Sequence, residues 1–521
     1  MKKWLAFLLA LCLVLTCVPA MTLAEDVKTI TAWGAYTFND QTGITSYGEQ
    51  LLWKTVEERL GVKVEWETVS GADKQTKFSL LMAGGNLPDF LIDMDPLTWE
   101  EFGRMGALIP LNDYITPEKM PNFTAIIAED PAVKASITSA DGNIYFLPRA
   151  MPAATGYWNG QFIRKDLLEA AGKEIPTTVE EFYDVLVAIK AAVPECTAPI
   201  AMNMTEIKTL VWAWGVGSRG TGLATADDAY VTEDGTLAYG PVQDDYREAL
   251  KYINKLYEDG LLTPDWNSID GNTKRTNIMT KVSAMCQGSF SGVMSTWNNL
   301  LIADGQGEQL VPIAPLKGTN GKQAWQGHHT SIDVSYGLAI SAMCEDVDTV
   351  ISVVDYLYGP EGSELVYYGV EGETFTKDAD GNYAFTEKVT SSELGTLVYL
   401  NNYSGNTSCY PSHMITEFYR ATLSPAAAAG NAVQTEIGTA NDIRMPSCRY
   451  TEAEIAEVNA ICVDLNAYVD EHFSLFVNGD LDVEDDAVWQ KYIDGFNGLR
   501  LEELMGYHND AYTRWLAAAA I

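Results

Sequence analysis

TITAWGAY (29–36), SYGEQLLWKTVEERLG (46–61), VKVEWETV (62–69), DKQTKFSLLMAGG (73–85) and DFLIDM (89–94) follow one another near the start of the chain, and their reading decides the fold. The first, third and fifth are short and apolar, and Val62 to Val69 alternates with the period of two that a strand requires. The second and fourth repeat apolar residues at helical spacing, and Gly84-Gly85 stops the second of these helices. Strand, helix, strand, helix, strand predicts a parallel sheet with helices on its faces. Ligands of such sheets sit beyond the carboxyl ends of the strands. Those ends are Trp33 to Tyr36 and Asp93 to Asp95.

Upstream, MKKWLAFLLALCLVLTCVPAMTLAED (1–26) sets two lysines before an apolar run and finishes on Thr22-Leu23-Ala24, the layout of a secretory leader. The run is shorter than the ~20 residues a spanning helix needs. Cleavage after Ala24 is expected. Val14-Leu15-Thr16-Cys17, a poor lipobox with Thr where a smaller residue is usual, leaves lipidation of Cys17 as the alternative. The 521 residues carry a net charge of −37 and are 47% hydrophobic, a globular composition long enough for two or three domains. That charge argues against nucleic acid and anionic lipid as partners and says little about a neutral ligand. Cys196, Cys286, Cys344, Cys409, Cys448 and Cys462 match no zinc spacing and read as buried apolar side chains, with a Cys409–Cys448 bridge left open.

Downstream, IRKDLLEAAGKEIPTTVEEFYDVLVAIKAA (163–192) opens a second α/β unit, with a capping box expected from Thr177 to Glu180. Asp-Gly pairs at 141–142, 234–235 and 380–381 mark hairpin turns. Asp378 to Asn382 has the look of a calcium loop, but its glycine stands fourth where an EF-hand needs it sixth, so it reads as a turn. Tyr336 to Gly369 reads as a strand and two helices, the second starting at Pro360. Gly359 and Gly369 are expected to end these helices at positive φ. Helical patterns close the chain over 451–477 and 487–516.

The segment VVDYLYGPEGSELVYYGVEGETF (353–375) resembles the signature of family 1 extracellular solute-binding proteins, the ligand-capturing subunits of carbohydrate ABC importers. ALIPLNDYI (107–115), DGNIYFLPR (141–149), LYEDGLLTPDW (256–266), KVSAMCQGSF (281–290) and GYHNDAYTRW (506–515) are similar to family segments in the same order. The resemblance implies an α/β fold of the type II periplasmic-binding-protein class, with two lobes, three crossovers and an interlobe cleft. It places lobe 1 at 25–150 with 336–400 and lobe 2 at 151–335 with 401–521, with crossovers near 149–156 and 334–336. A monomer working with ABC permease subunits, and no cofactor, are implied with it.

Sugar rings bind aromatic faces through their C–H surfaces and carboxylates or amides through their hydroxyls. By resemblance to maltose-binding proteins, the loops holding Trp33 and Tyr36, and Asp93 and Asp95, face the cleft, and Phe290 in GSF (288–290) sits where relatives put a ring against the sugar. Trp158, Trp212, Trp214 and Trp325, and Glu371 between two glycines, complete the candidates, with His328 and His329 beside Trp325. Catalysis finds no GxSxG or HExxH to rest on. A ligand sensor for a membrane receptor kinase and a secreted glycoside hydrolase are the rival readings. Mass spectrometry of the exported protein is expected to find an N-terminus at Glu25, and a diacylglyceryl mass on Cys17 would refute that.

Overall fold

In the computed structural model, which describes residues 27–152, 158–219, 228–325, 331–406 and 410–520, the first sheet grows outward from β1 (Lys28–Ala35). This strand is buried on both faces from Ala32 onward, and Gly34 lies so close to Tyr47 and Ile92 that a Cβ there would come within 2.8 Å of both. Helix α1 (Leu51–Leu60) buries Leu52, Trp53 and Val56 and stops at Gly61, whose φ of 64° suits glycine. Then follow β2 (Val62–Val69), α2 (Lys74–Gly84) and β3 (Phe90–Ile92), and both outer strands pair with β1 in parallel, as the alternation predicts. Helices α3 (Pro96–Arg104), α4 (Pro121–Glu129) and α5 (Pro131–Ile137) each open on a proline in the first turn, where no N–H is needed. Strand β4 (Leu147–Ala150) ends the first passage through this lobe.

The second sheet is built from β5 (Asn159–Arg164), β6 (Ile200–Ala201), β7 (Met285–Ser289) and β8 (Leu310–Ile313), in the order β8-β5-β7-β6. Its helix α6 (Val179–Ala192) is capped by Thr178, which accepts from the N–H of Glu181; the cap lies one residue later than expected, and Glu181 reaches back to the Thr177 N–H instead of closing a box with Thr178. The chain then returns as β9 (Ile332–Ile340), antiparallel between β3 and β4. Helices α7 (Val347–Tyr358) and α8 (Pro360–Tyr367) follow, and β10 (Ser412–His413) adds to β4, giving the order β10-β4-β9-β3-β1-β2. Gly369 has φ 89°, but Gly359 sits at −72°; its small size instead lets Asn122 approach to 3.0 Å of where a Cβ would stand. The chain finishes with α9 (Pro425–Ala440), α10 (Glu452–Val477), α11 (Asp486–Gly495) and α12 (Leu501–Ala519). The last two replace the single expected helix, because a short turn and Arg500 at φ 58° break it.

Two large apolar clusters divide the chain. One holds β1 to β4, β9, α7 and α8 together with Tyr410, Met414, Phe418 and Tyr419; the other holds the second sheet's helices and α10 to α12. Residues 410–419 therefore pack with the first lobe, where the sequence assigned everything after 400 to the second. The β9 strand likewise begins at 332 rather than 336.

The lobes also meet through a buried ion pair. Arg449, on the segment before α10, donates from Nε to the Ser136 carbonyl at 2.8 Å, stands 3.5 Å from the Glu100 carboxylate and lies 5.7 Å from the Phe146 ring centre. Trp515 on α12 reaches the same helix α5, its Nε1 donating to Ser136 Oγ at 3.2 Å. Burial pushes the Glu100 carboxyl pKa up, while the charge of Arg449 pulls it back down. Removing one member of a buried pair strands the other, so Arg449→Leu should cost about 3–5 kcal/mol in urea denaturation. A loss under about 1 kcal/mol would mark the pair as solvent-screened.

Candidate ligand site between the lobes

The chain passes from lobe to lobe between Pro152 and Trp158, between Trp325 and Ile332, and after Tyr419, and β4 and β10 end side by side in parallel at Ala150 and His413. On the lobe 1 side these ends border a cavity of about 410 Å³, lined by Ile126, Glu129, Asp130, Met151, Pro152 and His413 among others. Its size falls in the range of small-molecule sites, roughly 300–1,000 Å³. Burial lowers the His413 pKa against the pull of Glu129, which keeps the imidazole neutral near pH 7. The carboxylates leave this wall rich in hydrogen-bond acceptors.

The lobe 2 wall is different. Gln161 of β5 and Gln287 of β7 are direct cross-strand partners, both buried, and the Thr209 hydroxyl lies 2.6 Å from Gln287 Oε1. Trp212 and Trp325 meet edge to face, with ring centres 5.0 Å apart, and Trp212 Nε1 donates to the Ser218 carbonyl at 3.0 Å. Gln161, Thr209, Trp212, Leu316 and Trp325 line a small crevice here. Beneath it the Glu206 carboxylate caps its own short helix through Asn203 and pairs with buried Lys274. Burial raises the Glu206 pKa and the lysine charge opposes that rise. Amides, a hydroxyl and indole edges make this a neutral wall.

Of the residues nominated from sequence, the structure brings Trp212 and Trp325 together. Trp158 is half-buried at the entrance to β5; its carbonyl accepts from Phe290 N at 2.9 Å, and its ring lies 6.2 Å from Tyr419. Tyr36 is half-buried at the end of β1, its ring 4.7 Å from Phe38. Trp33 and Phe290 are corrected to core positions: each is 0% exposed, Trp33 against Phe78 at 5.6 Å and Phe290 against Phe162 at 5.2 Å. A stacking platform needs an open ring face, which neither has. Trp214 is likewise buried, its Nε1 bonded to Thr319 Oγ1 at 3.0 Å. Asp93, held at φ 70°, pairs with Lys74 at 3.1 Å, and Asp95 caps α3 by accepting from Thr98 N and Oγ1. Both carboxylates are thus engaged within lobe 1. Glu371 is exposed beside the hairpin Phe375–Lys377/Tyr383–Phe385 and accepts from Lys377 N at 3.4 Å. Asp378 to Asn382 forms the turn of that hairpin, with Asp378 accepting from Asp380 N and Asn382 N. His328, His329 and Cys409 lie outside the described residues. Sequence reasoning passed over Gln161, Gln287, Glu129 and His413; the signal for the two glutamines was an amide inside an otherwise apolar strand, in QFIR and AMCQG.

Two α/β lobes joined by three chain passages are the architecture of periplasmic-type solute-binding proteins. The chain belongs to the bacterial extracellular solute-binding proteins, whose family model matches residues 40–364. It is 24% identical to the fructooligosaccharide ABC transporter substrate-binding protein FusA of Streptococcus pneumoniae, over 90% of this chain and 88% of that one. It is also 24% identical to lipoprotein LipO of Bacillus subtilis, over 66% of this chain and 67% of that one. A solute-binding protein of Bifidobacterium longum infantis described as binding HMO has the same fold, with a TM-score of 0.72 at 17% identity over 94% of this chain and 99% of its own.

If Trp33 and Phe290 are core residues, Trp33→Ala and Phe290→Ala should each cost about 3–5 kcal/mol of stability. The variant that remains folded should bind ligand as the parent does. Normal melting with weakened binding would return the two rings to the cleft.

Proposed function

We propose that this extracellular solute-binding protein captures a neutral oligosaccharide and delivers it, chemically unchanged, to the membrane-spanning subunits of an ABC importer. The observation that carries this reading is the contrast between the two walls: the carboxylate of Glu129, beside Asp130 whose second oxygen is left over from capping α5, on lobe 1, and amides and the Trp325 indole at Gln161, Gln287 and Trp325 on lobe 2. A sugar hydroxyl both donates and accepts, so a polyol can satisfy both walls at once. Two carboxylates at the cavity, within a chain of net charge −37, disfavour an acidic sugar. The name of the pneumococcal relative, a fructooligosaccharide transporter component, supports the same class. The half-buried Trp158 and Tyr36 and the indole N–H of Trp325 are the aromatic groups this reading keeps for the ligand, with Trp212, as buried as Trp214, holding Trp325 in place. The protein acts as a monomer at the outer face of the cell membrane, released by cleavage at Ala24 or held through Cys17.

Kestose, maltotriose and trigalacturonate form a direct test by thermal shift and small-angle scattering. A neutral member should raise Tm, by mass action adding about 2.7 kcal/mol at 100 times Kd, and should shrink the radius of gyration. Silence from every neutral sugar, or the largest shift with trigalacturonate, would overturn the reading.

A further inference from the structure

Trp325 and Gln287 are 4% and 0% exposed, and each carries a buried polar atom, Nε1 and Nε2 respectively, with no hydrogen-bond partner among the described residues. Buried polar groups are nearly always paired, and an orphan calls for an unseen oxygen that serves it. Here the two orphans belong to one neighbourhood. Trp325 lines the small crevice in the lobe 2 wall; Gln287 is bonded to Thr209 and paired across the sheet with Gln161, and both of those residues line the same crevice. The crevice has a free volume of about 10 Å³, close to what a single water occupies. Trp212, edge to face with Trp325 and anchored by Ser218, fixes the direction of the Trp325 indole. Thr209 does the same for the Gln287 amide.

We propose that the Trp325 indole N–H and the free end of the Gln287 amide form a polar notch that takes one ligand hydroxyl, directly or through one held water, and so determine which sugar is accepted. This rests on the carbohydrate reading above. The indole N–H can only donate, so the group it meets must present an acceptor. A hydroxyl oxygen does so and can still give its own proton to a neighbour. A methyl or ring C–H placed there would leave the indole unpaired and would be rejected, which is how a site built to bond a hydroxyl discriminates against analogues lacking it.

Trp325→Phe keeps a ring in place and deletes only the donor, with Gln287→Met as a second variant of similar shape. Calorimetry with kestose and maltotriose, and melting without ligand, should show affinity falling at least about tenfold for both variants, with a ligand-free Tm equal to or above the parent's. A binding curve within twofold of the parent for Trp325→Phe would overturn the notch and leave a structural water only. Should neither sugar bind the parent, the carbohydrate reading fails by itself. The notch is then judged by a ligand-free crystal structure: a water on Trp325 Nε1 with an open side toward the cleft upholds it, and an empty crevice or a water fully enclosed by protein overturns it.

Discussion

Strand β9 governs the rest of the architecture. It reaches the first sheet only after the chain has built the second, and it enters antiparallel between β3 and β4, with Leu338 opposite both Ile92 and Leu147. Because it runs against its neighbours, its first residues lie where β3 and β4 end. The passages before and after lobe 2 therefore meet at one edge of lobe 1, beside the cavity lined by Met151, Ser331 and His413. Arg149 and Asp333, on the paired ends of β4 and β9, form a buried ion pair at 3.4 Å, and Tyr367 accepts from Arg149 Nε at 3.0 Å. Two of the three chain passages are thus clamped at their lobe 1 ends.

The cleft walls differ in what burial costs them. Lobe 2 buries Gln161 and Gln287 side by side in its sheet, against Thr209 of the short helix Lys208–Trp214, and a buried amide without its full set of partners is destabilising. Such an arrangement persists in a fold when something else recovers the loss. The Glu206–Lys274 pair below the same wall shows a related economy, since the carboxylate also caps its helix and each charge is neutralised by the other. Lobe 1 keeps its polar groups nearer water, where they cost less. A ligand seated between the two would find one rigid, desolvated wall and one that water can still reach.

Much of this was legible in the sequence, for physical reasons. Alternation in Val62 to Val69 and the glycine stops gave the parallel sheet, because a strand with one wet face must alternate. Capping at Thr178 slipped by one residue, since Thr177 and Thr178 are chemically alike and Glu181, not Glu180, reaches back. Trp33 could not be placed from sequence. Position at a strand's carboxyl end fixes the height of a residue in the sheet but not whether a helix residue such as Phe78 covers its ring. Phe290 failed in the same way, with the loop's direction readable and its covering by Phe162 not. The lobe boundary after residue 400 was missed because Ser412-His413 is too short to carry periodicity. The glutamines of the lobe 2 wall were readable in principle, as amides within apolar strands, but only strand pairing shows that they stand side by side.

The Arg449–Glu100 contact sets how firmly the lobes hold one another. For a buried ion pair the loss of hydration nearly cancels the attraction, so the net gain of the assembled pair is small. If the lobes part, both groups return to water and recover that hydration, and separation costs little. If instead one side chain is deleted while the lobes stay together, the partner remains desolvated with nothing to offset it. The same pair is thus weak against motion and strong against mutation. That asymmetry is compatible with the solute capture proposed above, because these contacts orient α5 against α12 while the ion pair itself adds little net energy. The surplus that holds the closed form then has to come from the solute itself, through contacts that exist only when both walls reach it.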